Sequence, residues 1–172
     1  MATCIQIPIT LPSDGTLSND ALHTIIATFL PQEWSSVDPS SLTVTHHTGY
    51  ANTNCVVERP ATSPSLDAPR KVFVKINGEL DGEIAVFKHL VPDKHQEAQL
   101  CHDYGQTGRG PHMYGFFQTQ DGAYGRVDEF LEARNLTAQD VEDAGVREDV
   151  ARAQAAFHAM KTTRERRPVE EV

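Results

Sequence analysis

Hydrophobic and polar residues alternate most clearly over residues 71–77 (KVFVKIN). The two valines and the isoleucine fall on one pleat face, whereas Phe73 and Lys75 fall on the other. This period of two predicts a β-strand with a lysine in its middle.

Two hairpins are predicted on either side of that strand. The first joins strands over 42–47 and 55–58 through small and polar residues at 49–54. The second joins 113–118 to 125–131 around Asp121-Gly122.

Apolar residues at helical spacing predict the helices. The first covers 17–29, with Ser18 as its N-cap and Pro31 just beyond its end. Further helical stretches are predicted over residues 81–90, 92–104 and 146–160. Thr137 and Asp140 approximate a capping box ahead of the last of these, and His158 is expected to pack on its apolar face. The order of elements predicts an α+β fold, a small mostly antiparallel sheet with flanking helices.

Composition narrows the class of protein. The chain has 172 residues, which suits one domain, and its formal net charge of −9 argues against a nucleic-acid or anionic-membrane surface. The N-terminus lacks the pattern of a signal peptide, and no stretch is long enough for a membrane span. Three scattered cysteines do not suggest a disulfide scaffold. We therefore expect a cytoplasmic protein with neither nucleic acid nor membrane as partner.

Lys75 is the first candidate for chemistry. A lysine within an apolar strand, followed by a helix that bears Glu83, is the arrangement that holds ATP phosphates in kinases: the lysine neutralises charge and the glutamate positions it. The same pattern fits a lysine that protects an edge strand, with Glu83 as a solvated helix residue. The pattern alone leaves both interpretations open.

The loop from Gly49 to Asn54 is the second candidate. Its small residues allow backbone N–H groups to approach phosphate oxygens, and Thr53 adds a hydroxyl. An ordinary hairpin loop fits the same residues. The eight histidines lack the spacing of known metal sites, so we expect no metal bound by these side chains.

Several segments together resemble the choline/ethanolamine kinase family. KVFVKING is similar to the family's third strand and DGEIAVFKHL to its following helix, with Glu83 at the pairing position. GRGPHMYGFF resembles the segment that enters the fourth strand, GRVDEFLEARNLTAQDV the hinge, and VARAQAAFHAM the next helix. The similarity extends from about Leu42 onward.

The resemblance implies the N-lobe of a kinase-like fold and part of an ATP-dependent phosphotransferase for choline or ethanolamine, at the head of phospholipid synthesis. It implies that Lys75 contacts the ATP phosphates, that Glu83 orients Lys75, and that Gly49, Thr53 and Asn54 line the phosphate loop. Residues Glu129, Phe130 and Leu131 would present hinge backbone to adenine, and Mg²⁺ would arrive with ATP. The implied division is a leader with a helix (1–41), the N-lobe to the hinge (42–135), and a helical segment leading towards a C-lobe (136–172).

Two departures from the family pattern matter. The phosphate loop retains Thr53-Asn54 but has only one of its glycines. The family's catalytic loop, of His-Asn-Asp-x-x-x-x-Asn type, and its magnesium-binding Asp do not occur in these 172 residues. We therefore expect no catalytic residue and no magnesium ligand here, and an inactive chain when it is alone. Two alternatives stay open: a truncated remnant or interaction module, and the N-lobe of an aminoglycoside-type phosphotransferase.

Overall fold

One mixed sheet organises the chain. The computed structural model describes residues 2–12, 14–48, 52–61, 69–77 and 93–161, and within these ranges six strands lie in the order β1-β5-β6-β4-β3-β2. The strands are β1 (Cys4–Gln6), β2 (Thr43–Thr48), β3 (Asn52–Glu58), β4 (Lys71–Asn77), β5 (Met113–Gln118) and β6 (Tyr124–Glu129). Apart from the parallel pair β1–β5, neighbouring strands are antiparallel. The α+β prediction is confirmed.

Five α-helices lie between and after the strands within the described ranges. They are α1 (Asn19–Phe29), α2 (Pro31–Trp34), α3 (Lys94–Gln106), α4 (Ala138–Glu142) and α5 (Ala144–His158). The helix predicted over 81–90 lies outside the described residues.

Helix α1 covers one face of the sheet. Ser18 caps it as predicted, since its hydroxyl accepts a hydrogen bond from the Ala21 N–H at 3.2 Å. Leu22, Ile25 and Ile26 are completely buried against the sheet. Their partners on the strands are Cys55, Val57, Val72, Val74, Ile76, Phe117 and Val127. Burial of each large aliphatic side chain contributes roughly 1.5–3 kcal/mol, so this face carries the main core.

Helix α3 covers the opposite face. It begins in a capping box, in which the Asp93 side chain accepts from the Gln96 backbone and the Gln96 side chain accepts from Asp93. Ala98 packs against Met113 and Phe116, in a smaller core than the one beneath α1. The polar side chains of the central strands therefore meet a helix that is itself largely polar.

The sheet differs from the predicted one at its ends. Strand β1 was not predicted, because three residues are too few to show a period, and it pairs with β5 more than a hundred positions away. Strand β3 begins at Asn52, so the residues at 52–54 extend the strand instead of belonging to the loop. Strand β6 ends at Glu129, two residues before the predicted end.

The C-terminal helices lie at the surface. The predicted capping box of Thr137 and Asp140 is present and starts α4. No residue of α5 is buried, and Phe157 keeps 51% of its surface exposed while its ring contacts Tyr104 edge-on at 5.3 Å. The prediction that His158 packs on an apolar face is wrong: its side chain is exposed, and its ring contacts that of the neighbouring Phe157, itself exposed, at 6.0 Å.

Candidate functional site

Lys75 lies in the middle of the sheet. Its strand, β4, is bordered by β3 and β6, which excludes the interpretation of Lys75 as an edge-strand charge. In register across the strands, Lys75 lies between Asn54 and Arg126. The side chains of this row point to the α3 face, and Lys75 keeps 23% of its side chain exposed. A lysine held in a rigid strand, partly open to solvent, suits contact with an anionic ligand.

The carboxylate that pairs with Lys75 is Glu97. The Lys75 ammonium donates to Glu97 Oε1 at 3.2 Å, across the interface between β4 and the first turn of α3. The predicted partner, Glu83, lies outside the described residues, and its role stays a prediction. Sequence reasoning missed Glu97 because it placed the glutamate on the first of two predicted helices after β4. The capping box at Asp93 and Gln96 is the signal that marks the start of the helix bearing Glu97.

A second lysine shares the same carboxylate. Lys94 Nζ lies 2.9 Å from Glu97 Oε2 and 3.4 Å from Asn77 Oδ1, so it joins the start of α3 to the end of β4. Burial raises the pKa of the Glu97 carboxyl, but the hydrogen bond from Lys94 and the charges of Lys75 and Lys94 outweigh burial and leave that pKa below its ordinary value. Glu97 is thus ionised at neutral pH and can hold both lysines.

Arg126 forms the inner part of the same cluster. Its guanidinium lies 3.2 Å from Asp128 Oδ2 and 3.6 Å from Glu97 Oε1, and it also donates to the Cys101 sulfur at 2.6 Å. Burial raises the pKa of Asp128, and the charge of Arg126 opposes that rise without cancelling it. Burial likewise raises the pKa of Cys101. Arg126 keeps only 11% of its side chain exposed, whereas Lys75 and Lys94 keep 23% and 30%, so the two lysines are the more accessible cations of this cluster.

The residues of the predicted phosphate loop divide between the two faces of the sheet. Thr53 pairs in register with Ile76, and its hydroxyl donates to the Gly15 carbonyl at 3.1 Å on the α1 side. Asn54, one position later, lies on the Lys75 side. Gly49 lies outside the described residues. The structure therefore brings Asn54 next to Lys75 and turns the Thr53 side chain away from it.

The predicted hinge follows β6 directly. The Glu129 N–H donates to the His112 carbonyl at 2.7 Å, and the Glu129 carboxylate accepts from the His112 N–H at 3.0 Å. The ring of Phe130 lies beneath the Lys71 ammonium, 5.5 Å from Nζ, whereas Leu131 is 49% exposed. Glu129 thus secures the end of β6 to β5, and the two residues after it lie at the border of the sheet. Their contact with adenine stays a prediction.

Histidine, cysteine and acidic side chains within the described ranges do not gather into a metal site. In the described part of the chain, no group of three or more such residues is placed to hold an ion. His46, one of the eight histidines, instead contacts the sulfur of Cys55 at 3.3 Å, and burial raises the pKa of that thiol to about 11.

None of the helices within the described ranges is long and apolar enough to cross a membrane.

Comparison with known proteins gives a consistent result. A family model described as choline/ethanolamine kinase matches residues 45–171. A probable choline kinase 2 of Arabidopsis thaliana is 30% identical over 133 residues, which are 77% of this chain and 34% of that protein. The fold is similar to an ethanolamine kinase of Plasmodium vivax, with a TM-score of 0.55 and 16% identity over 88% of this chain and 37% of that one. The chain thus spans about a third of the length of these relatives.

Proposed function

Because this chain belongs to the choline/ethanolamine kinase family, we propose that it forms the ATP-binding half of a phosphotransferase. Its role is to hold the nucleotide while the residues that activate the acceptor come from the rest of the kinase length. In that whole, phosphate passes from ATP to the hydroxyl of choline or ethanolamine.

The observation that carries this proposal is the pairing of Lys75 with Glu97. The lysine comes from a central strand and the glutamate from a helix packed on the same face, at a distance of 3.2 Å. Phosphoryl transfer relies on positioned charge more than on covalent chemistry, and such a lysine neutralises phosphate oxygens while the glutamate holds its direction. The position of Asn54 beside Lys75 supports the same site.

The proposed cofactors fit this arrangement to different degrees. The partly exposed lysines suit the phosphates of ATP, and Phe130 and Leu131 directly follow β6, where the family resemblance puts adenine. The described residues offer no three-ligand acidic cluster, so Mg²⁺ would enter with the nucleotide. The bound metal would supply charge neutralisation at the phosphates.

Binding of ATP by the purified chain tests the proposal. We expect saturable binding in calorimetry, and we expect Lys75→Ala to weaken it by roughly ten- to a hundredfold, since a hydrogen bond to a charged group contributes about 1.5–3 kcal/mol. Arg70→Ala is the matched control, because it removes one cation adjacent to the same strand from an exposed position. Thermal unfolding of each variant establishes that it is folded.

The same preparation tests the second half of the proposal. We expect no choline- or ethanolamine-dependent release of ADP, because the 172 residues contain no catalytic loop of the family type. Turnover by this chain would refute the division of labour. Absence of ATP binding would instead favour the interaction-module alternative.

A further inference from the structure

We propose that Lys94 is a second phosphate-binding cation of this site, acting on the nucleotide directly and not only through Glu97. The inference rests on the proposed function, and it extends the site from β4 to the first residue of α3.

The position of Lys94 places its charge at one end of the sheet. Its ammonium lies 3.4 Å from Asn77 Oδ1, and Asn77, the last residue of β4, pairs in register with Asn52, the first residue of β3. Lys75 lies two residues earlier on β4, on the same pleat face as Asn77. A ligand that reaches Lys75 and extends along β4 towards Asn77 therefore passes Lys94.

The charged side chains in contact around Glu97 favour binding of an anion. Lys75, Lys94 and Arg126 all contact the carboxylate of Glu97, at 3.2 Å, 2.9 Å and 3.6 Å, and Arg126 also contacts Asp128 at 3.2 Å. Among these described contacts, three cations meet two carboxylates, so one positive charge is in excess, although the chain as a whole has a formal net charge of −9. A further carboxylate, that of Asp93, lies at the start of α3. It caps the helix by accepting the Gln96 N–H, and the residue is exposed to solvent.

The number of N–H donors on the two lysines leads to the same conclusion. An ammonium group has three N–H donors. Lys75 makes one described hydrogen bond, and Lys94 makes two. Both side chains remain partly exposed, at 23% and 30%, so the contacts among the described residues leave N–H donors on each ammonium for phosphate oxygens.

A series of nucleotides separates a phosphate contact from a general effect. We expect Lys94→Ala to weaken ATP binding by roughly tenfold, to weaken AMP less, and to leave adenosine affinity within about twofold. Lys94→Arg should recover most of the ATP affinity because it retains the charge. Arg109→Ala is the matched control, since it removes a cation from the exposed turn beyond the other end of α3 and should change none of these affinities.

A double-mutant cycle with Glu97→Gln separates direct contact from positioning. If Lys94 binds phosphate itself, its substitution by alanine still weakens ATP binding in the Glu97→Gln background. If Lys94 only holds Glu97, the loss disappears in that background, and the inference is overturned. An equal loss for adenosine and ATP would also overturn it.

The outcomes for the two proposals are distinguishable. Binding of ATP that depends on Lys75 but not on Lys94 overturns this inference and leaves the proposed function in place. Failure of the unaltered chain to bind ATP overturns both.

Discussion

Arg126 shows how one side chain can stabilise the site without facing its ligand. Its guanidinium connects strand β6 with helix α3 through Asp128, Glu97 and Cys101, and only 11% of the side chain is exposed. Removing one member of a buried ion pair leaves the other charge unpaired, which costs more than the intact pair contributes.

We expect Arg126→Met to lower the free energy of unfolding by about 3 kcal/mol at pH 7. The loss should be smaller at pH 5. Asp128 already has a raised pKa in the folded protein, and removal of Arg126 raises it further, so the folded variant takes up a proton more readily than the unfolded chain. Its stability therefore increases as pH falls towards the ordinary Asp pKa. Urea unfolding at the two pH values measures the difference.

Arg134→Met provides the control for this prediction. It also removes an arginine that is paired with an aspartate, Asp140, but Arg134 is 69% exposed. Solvent screens such a pair, so the variant should lose much less stability. An Arg126→Met loss that is equally large at both pH values would contradict the assignment of Asp128 as the titrating group.

At the scale of elements, helix α1 and strand β5 fit together through a glycine. Gly115 lies beneath the ring of Phe29, and a methyl group at this position would overlap that ring. The absence of a side chain allows the last turn of α1 to lie on the sheet, where Phe29 also approaches Phe117 at 6.3 Å between ring centroids.

We expect Gly115→Ala to destabilise the protein by about 1–3 kcal/mol through overpacking. The loss should shrink when Phe29 is also replaced by Ala, because the clashing ring is then absent. Thermal unfolding of the two single variants and the double variant measures the coupling. Additive losses would show that Gly115 is needed for a reason other than contact with Phe29.

At the scale of the whole molecule, the buried side chains of the described residues are concentrated in the sheet and in α1. Strands β3, β4 and β6 place completely buried side chains beneath α1, whereas no residue of α5 is buried and the Phe157 ring meets Tyr104 at the surface. Segments with little buried surface open at a lower free energy than the core.

We expect amide hydrogen exchange to be fast throughout α5 and slow in β3, β4 and β6. Peptide-level mass spectrometry can measure both in one time course. Phe157→Ala should accelerate exchange in α5 while leaving the strands unchanged. Protection of α5 equal to that of β4 would contradict this distribution of stability.

Local patterns determined much of the fold. Alternation over 71–77 identified β4, Ser18 identified the start of α1, and the Thr137–Asp140 capping box marked a helix start, since each depends on interactions a few residues apart. The division of the C-terminal helical stretch into α4 and α5 was not predicted. The order of the segments was sufficient to identify the family. Strand β1 and the exposure of His158 were not predicted, because each depends on whether a distant part of the chain pairs with or packs against that segment.

Some features of the site were likewise determined by the sequence alone, and others only by the tertiary structure. The sequence by itself determined that a lysine would stand in a central position of a strand, because the period of its apolar neighbours places it there. Only the tertiary structure decided that Glu97 is its partner, that Lys94 shares that partner, and that Thr53 faces the other side of the sheet. The physical reason is that pairing and facing depend on the packing of α3 across β4 and on strand register, both of which join residues distant in the sequence.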